Sequence, residues 1–335
     1  MIRVAVIGAG AMGRNHIRLY SELPDVELVG IADTRVATAE GLCRRFGGRA
    51  YADIEHLLDA EQPQAVTIAV PTVAHLEVGL QALQRGIHVL IEKPLAFTVD
   101  EGQQLIDAAK RWKAHLMVGH IERFNPAVVA LKQRLNRGEL GRVFQFDARR
   151  QGPFPTRVID VGVVIDLAVH DLDIMRYISG SEIVRVFAET EQRIHSTRED
   201  LLTGVVRLAD GAVGLLSINW LTPTKIRELS VIGERGMFRV DYLTQDLYFF
   251  ENATASDGEW DTLRVLRGVS EGPMIRQVIA KKEPLRAELE AFMAAVREEA
   301  EVAVTGEDGL QALALAQAIV QSGREHRPIA VDKLS

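Results

Sequence analysis

Along the first third of the chain, apolar residues fall in short runs rich in Val and Ile, at 2–7, 26–32, 65–70, 89–91 and 116–118, each bounded by Gly, Pro or Asp. Runs of this length and composition read as strands. Helix-length amphipathic stretches lie between them, among them 12–22, 35–46, 72–85 and 98–112, and Thr98 with Glu101 has the spacing of a capping box. Strands that are apolar throughout and separated by helices predict a parallel sheet covered on both faces. Residues 1–122 are therefore expected to form an α/β, doubly wound domain.

Beyond that point the periodicity changes. Asn125-Pro126 has the form of an N-cap and first-turn proline, opening a helix to about residue 137. Residues 143–149 alternate with period two, and 163–178 read as one long apolar helix. From 183 to 250 strand-like runs are joined by tight turns, with Ala209-Asp210-Gly211 and Gly233-Glu234-Arg235-Gly236 as hairpin signals. Residues 251–284 are polar and turn-rich and read as a mobile excursion, after which helices at 285–299 and 307–322 close the fold. The second domain, 123–335, is thus expected to be α+β with a mostly antiparallel sheet.

Composition narrows the class. The chain has 335 residues, 47% of them hydrophobic, which suits two soluble globular domains. A net charge of −7 argues against a general nucleic-acid or anionic-membrane binder. No run approaches a membrane span, and the apolar start is too short for a signal peptide. The single Cys43 excludes an internal disulfide, so a cytoplasmic location is expected. The average charge hides one exception: between Arg123 and Arg157 eight basic residues face only Glu139 and Asp147. Lys132, Arg134 and Arg137 suit a solvated helix face, whereas Arg149, Arg150 and Arg157 flank a Gly-Pro-Phe-Pro loop where arginines could clamp a phosphorylated substrate.

Gly8-Ala9-Gly10-Ala11-Met12-Gly13 is a GxGxxG placed directly after a strand and before a helix. The first glycine permits the tight turn, the second lets backbone approach a pyrophosphate, and the third allows close helix–strand packing. The helix start then presents free amides to the anion. Asp33, twenty residues beyond Gly13 at the end of the second strand, is placed to accept from ribose hydroxyls and to repel a 2′-phosphate, favouring NAD over NADP. Arg35 keeps NADP open. The bland alternative is a simple turn and strand end, and a methyltransferase is a rival for the glycine loop alone.

Two further segments carry chemistry. Glu92-Lys93-Pro94 follows a strand at the carboxyl edge of the parallel sheet, where such sheets bind ligands; a solvated loop is the alternative. Asp166, His170 and Asp173 stand at i, i+4 and i+7 and so share one helix face. Asp166 can there orient His170 as a general base. A satisfied helix face and a metal site are the alternatives.

Gly8–Gly13, Ala69-Val70-Pro71-Thr72 with His75, Glu92-Lys93-Pro94, and Asp166 with His170, in this order, resemble the glucose–fructose oxidoreductase / inositol dehydrogenase / MocA family. The resemblance runs on to Pro284-Leu285-Arg286-Ala287-Glu288-Leu289 and covers essentially the whole chain. It implies a Rossmann domain, then an open-faced sheet that builds homodimers or homotetramers, and a cleft holding substrate against a nicotinamide, with no metal. Cofactor contacts are implied for the loop Gly8, Gly10, Ala11, Met12 and Gly13, for Asp33 and Arg35, and for Ala69, Pro71, His75, Glu92 and Lys93. Substrate contacts are implied for Lys93, Arg123, Asn125, Arg149, Arg157, Asp166 and His170. Lys93, Asp166 and His170 are the implied catalytic residues, and the Lys93–Pro94 bond is implied to be cis. Within the family, residues 119–126, 152–166 and 219–223 look closest to the UDP-N-acetylglucosamine 3-dehydrogenases, which oxidise the sugar C3 hydroxyl. An unphosphorylated sugar or inositol is the alternative substrate, and a non-catalytic cofactor sensor the alternative class.

Overall fold

The computed structural model of the chain describes residues 1–155, 161–194, 197–253 and 270–332. It resolves into two compact units.

The first unit is built on six parallel strands: β1 (Ile2–Ile7), β2 (Val26–Ala32), β3 (Arg49–Tyr51), β4 (Ala65–Ile68), β5 (His88–Glu92) and β6 (Leu116–Gly119). Their order in the sheet is β3-β2-β1-β4-β5-β6, so the winding reverses between β1 and β4. That reversal opens a crevice at the carboxyl ends of the strands. β4 and β6 are buried at every position, as strands covered on both faces must be. The helices are α1 (Ala11–Glu22), α2 (Val36–Phe46), α3 (Ile54–Glu61), α4 (His75–Leu83) and α5 (Val99–Trp112). The capping box is present: Thr98 Oγ1 accepts from the Glu101 amide at 3.2 Å and Glu101 Oε2 accepts from the Thr98 amide at 3.3 Å. The short β3 and α3 were not among the expected elements, because a three-residue strand carries too little periodicity to register.

The second unit holds α6 (Pro126–Asn136) and α7 (Val169–Ser179) against a nine-stranded sheet. Its strands are β7 (Val143–Pro153), β8 (Ile183–Glu191), β9 (Leu201–Leu208), β10 (Val213–Asn219), β11 (Leu221–Gly233), β12 (Gly236–Asp241), β13 (Asp246–Ala253), β14 (Ser270–Arg276) and β15 (Ile329–Ala330). Pairing is antiparallel except between β7 and β10. Asn125 caps α6 as its sequence predicts, its Oδ1 3.1 Å from the Ala127 amide. The expected excursion at 251–284 needs correction: β13 runs to Ala253, and β14 pairs back on it. Residues 254–269 lie outside the described residues.

A single cut near residue 122 does not describe the packing. Residues 283–314 return to the first unit, and α8 (Pro284–Val296) packs on α1. The Val118 amide of β6 donates to Val304 O at 3.1 Å. The close approach continues at Gly309, where a Cβ would meet Val118 at 2.7 Å. Gly309 lies in the first turn of the last helix, α9 (Gly306–Glu325), whose residues divide between the two units. No helix of the described residues is long and apolar enough to cross a membrane.

Because α8 belongs to the core of the first unit, Phe292, fully buried on it, is expected to be a major contributor there. Phe292→Ala should cost about 3–5 kcal/mol in urea denaturation; a loss under about 1 kcal/mol would contradict the placement of α8.

Candidate active site

In the first unit the sequence-predicted residues gather at the carboxyl ends of β1, β2, β4 and β5. Gly8 takes φ +96°, and a Cβ there would sit 2.5 Å from Ala69 O, so only glycine lets β1 and β4 run on this close. A Cβ on Gly13 would run into Gly8 O, which fixes the third glycine by the packing of α1 on the loop. Gly10 differs: nothing lies within 4 Å of where its Cβ would be. Packing does not demand glycine there; open space for a close ligand does. α1 has no side-chain cap and no acidic residue in its first turn, leaving the amides at Ala11 and Met12 to an anion. Asp33 completes the loop, its Oδ2 accepting from the Ala9 amide and its Oδ1 from the Arg35 amide, both at 2.8 Å. Arg35 is largely exposed, 3.7 Å from Asp33. This arrangement fits the pyrophosphate and ribose of a dinucleotide.

The loop after β5 is braced from two sides. Glu92 Oε1 accepts from His16 Nε2, on α1, at 2.7 Å. Burial would raise the Glu92 pKa, but the His16 hydrogen bond and the charges of His16 and Lys93 hold it below the ordinary carboxylate range. His75 places Nδ1 2.9 Å from Pro94 O and Nε2 3.1 Å from Val70 O. Burial lowers its pKa against the two carbonyls. His75 is thus a buried strut between the segment holding Ala69 and Pro71 and the Lys93–Pro94 loop rather than a group open to the cofactor. The Lys93–Pro94 bond is cis.

In the second unit Asp166 lies in a π-helical turn, Val164–Ala168, that runs directly into α7 with His170 in its first turn. The single α-helix expected over 163–178 therefore begins with a wider coil. The turn is anchored by the Val163 amide on Glu199 O at 2.9 Å. π turns inside helices concentrate at functional sites because they re-aim side chains without ending the helix. Asp173 does not join Asp166 and His170 on an open face: its carboxylate takes both Arg123 Nε, at 2.8 Å, and Arg123 Nη2, at 2.6 Å.

The arginine excess is largely neutralised. Arg123, 6% exposed, is the buried partner of Asp173. Arg150, 3% exposed, donates to Asp171 at 2.8 and 3.0 Å and to Glu122 at 2.8 Å. Burial would lower the Arg150 pKa, but the two carboxylates hold it well above the ordinary value. Neither arginine is an open clamp. Asn125 is likewise buried, its Nδ2 donating to Tyr242 O at 3.0 Å. Arg149 is about half exposed and 3.3 Å from Glu228. Arg157 lies outside the described residues. The sequence reasoning missed Arg227 on β11, which donates from Nη1 to Gln151 O and Ile226 O. Burial and the like charge of Arg150 lower its pKa to about 10, opposed by Asp171, Glu122 and Asp166.

Two outcomes follow from this geometry. Gly10→Ala should leave stability within about 0.5 kcal/mol of the parent yet weaken dinucleotide binding, whereas Gly13→Ala should lower both, read by thermal unfolding and fluorescence titration. Asp171→Asn leaves a buried arginine charge under-paired and should cost about 3–5 kcal/mol in denaturant unfolding.

Two family models match the chain: an oxidoreductase family with an NAD-binding Rossmann fold over residues 2–120, and the C-terminal alpha/beta domain of the same family over 132–331. The chain is 30% identical over 315 residues to a UDP-N-acetylglucosamine 3-dehydrogenase of Acidithiobacillus ferrooxidans, spanning 94% of this chain and 95% of that protein. The solved structure of the 3-dehydrogenase of that name and organism superposes with a TM-score of 0.83 at 29% identity, over 96% and 97% of the two chains. An inositol 2-dehydrogenase of Rhizobium meliloti is 27% identical over 98% of this chain and 99% of its own. With a Rossmann unit whose loop fits a dinucleotide and both family models in register, the chain belongs to the Gfo/Idh/MocA family of oxidoreductases, with an NAD-binding Rossmann fold.

Proposed function

We propose that this protein is an NAD-dependent dehydrogenase that oxidises a ring hydroxyl of a sugar to a ketone, its substrate UDP-N-acetylglucosamine and the carbon oxidised C3. The observation that carries the dehydrogenase reading is the His170–Asp166 segment, where a π turn sets a carboxylate one turn before a buried imidazole. The substrate rests on the likeness to the 3-dehydrogenase.

When bound, the nicotinamide supplies the acceptor for the hydride leaving the carbinol carbon. In the second unit His170 takes the hydroxyl proton and Asp166 aligns and charge-stabilises its ring; in the first, Lys93 supplies positive charge at the dinucleotide loop. Asp33 holds a fixed negative charge where a 2′-phosphate would come, which favours NAD over NADP. On the other face of the second sheet, Phe187, Val205 and Leu215 form one cross-strand row at least partly exposed to solvent; we assign this face to homo-oligomer assembly.

A second reading has support of its own. With Arg123 and Arg150 engaged by carboxylates, less positive charge remains for a diphosphate, and the inositol 2-dehydrogenase relative spans the chain. Following NAD reduction with UDP-N-acetylglucosamine, inositol and free hexoses in parallel decides between them. Turnover preferring inositol would overturn the substrate and keep the reaction class.

His170→Ala should lower kcat by about 10²–10⁴-fold with little change in NAD affinity. Near-native turnover would remove His170 from the role of base. Asp33→Ala should erode the preference for NAD by about tenfold or more, equivalent to about 1.4 kcal/mol, in paired NAD and NADP titrations.

A further inference from the structure

Three arginines of the second unit use the same edge in the same way. Arg123 gives Nε and Nη2 to the two carboxylate oxygens of Asp173, Arg150 gives the same donors to Asp171, and Arg176 gives them to Glu182, all between 2.6 and 3.1 Å. This edge of a guanidinium carries two parallel N–H groups spaced to match the oxygens of a carboxylate or a phosphate. Arg227 departs from the pattern. Its Nη1 is committed to Gln151 O at 2.6 Å and Ile226 O at 2.7 Å, and among the described residues no acceptor meets its Nε or Nη2.

Sheet register places that edge. Arg227 on β11 lies directly opposite Arg150 on β7, so the two side chains rise from one face. Along the same row Leu229 faces Ala148 and Val231 faces Phe146, all four buried. An apolar row thus ends in two like charges, an arrangement that costs a sheet stability. Arg150 is met by Glu122 and by Asp171, the residue after His170, and both Asp171 oxygens are engaged by it. The pairing therefore sets Arg227 next to the network that holds the first turn of α7, where His170 lies. On its other flank is the Gly-Pro-Phe-Pro loop: a Cβ on Gly152 would come 3.9 Å from both Nη1 and Nη2. Arg227 is half-buried, and burial, then the charge of Arg150, oppose its cation more than Asp171, Glu122 and Asp166 favour it. The two carbonyls explain why the side chain is held. They do not explain why a charged group with a second donor pair is kept there.

We propose that the Nε–Nη2 edge of Arg227 is the anion-binding element of the sugar site, taking a phosphate or carboxylate group that the substrate carries. The inference rests on the reading of the second unit as the one that binds the sugar. Nη1, fixed on two carbonyls, presets the direction of the fork, so little side-chain freedom is lost on binding. Lysine cannot hold a carbonyl pair and offer a planar fork at once. Arg227 supplies the charge that Arg123 and Arg150, each engaged by carboxylates, do not.

Isothermal titration calorimetry on the protein loaded with NADH, which prevents turnover, tests this with probes that differ by the anion they carry. UDP-N-acetylglucosamine and N-acetylglucosamine 1-phosphate are compared with N-acetylglucosamine, and glucuronate with glucose. The wild type should prefer the anionic member of at least one comparison by tenfold or more. Arg227→Met should lower that preference by roughly tenfold to a hundredfold. Arg227→Lys, which keeps a charge without the fork, should restore only part of it. Gly152→Asp leaves Arg227 and its carbonyl bonds in place but sets a carboxylate against the guanidinium, and should lower the preference as R227M does. It decides the matter even where R227M fails to fold.

An effect on the phosphorylated probes assigns the group to phosphate, and an effect on glucuronate assigns it to carboxylate. No anionic preference in the wild type, or a preference that survives in R227M or G152D, would overturn the proposal. Calorimetry reads binding and not hydride transfer, so inactivity toward every sugar would defeat the proposed function while leaving these affinities as expected. A response confined to glucuronate would remove UDP-N-acetylglucosamine as substrate and keep Arg227 in its role.

Discussion

The hydrogen bond between His16 and Glu92 is the contact on which the architecture of the nucleotide unit turns. His16 lies one turn past the glycine loop on α1, and Glu92 ends the strand whose next residue is Lys93. The 2.7 Å bond thus ties the anion-binding loop to the strand end that carries the cation. It requires room: a Cβ on Gly119 would come 3.2 Å from Glu92 Oε2, so glycine at the end of β6 lets the carboxylate reach the ring. His75 braces the same loop from Val70 to Pro94. The loop that carries Lys93 is thereby held by fixed contacts on two sides, which is the geometry of a preorganised segment.

The second unit solves a related problem with buried charge. Glu122, Arg150 and Asp171 form one buried network and Arg123 with Asp173 another, each tying the segment before α6 to α7. Replacing such pairs with apolar residues need not destabilise a protein, but breaking one partner does. Their value here is geometric. They fix the register of α7, and with it His170, which follows directly on the π turn.

Much of this was legible in the sequence, for identifiable reasons. The strands of the first sheet, the capping box at Thr98, the cap at Asn125 and the turns around Gly211 and Gly236 all depend on neighbours a few residues apart. So do the glycines of the dinucleotide loop, whose roles the Cβ geometry separates one by one. What escaped depends on distance. Arg123 and Asp173 are fifty residues apart and Arg150 and Asp171 twenty-one, so a count of local charge saw arginines in excess where the fold supplies their acids. Arg227 reads as one more polar position of an alternating strand until β11 is seen to set it opposite Arg150. The π turn at Val164–Ala168 leaves the hydrophobic pattern of an ordinary helix almost unchanged, and so it stays invisible to periodicity.

The reaction proposed for this protein moves a hydride from a sugar carbon to the nicotinamide. The direct measurement is to incubate the protein and NAD with UDP-N-acetylglucosamine deuterated at C3 and to examine the reduced cofactor by mass spectrometry and NMR. Deuterium is expected at nicotinamide C4 on one face only, with a 3-keto sugar formed in equal amount. Reduced cofactor without deuterium would contradict that transfer, whereas reduction by another sugar of the panel and none by this one would overturn the substrate alone.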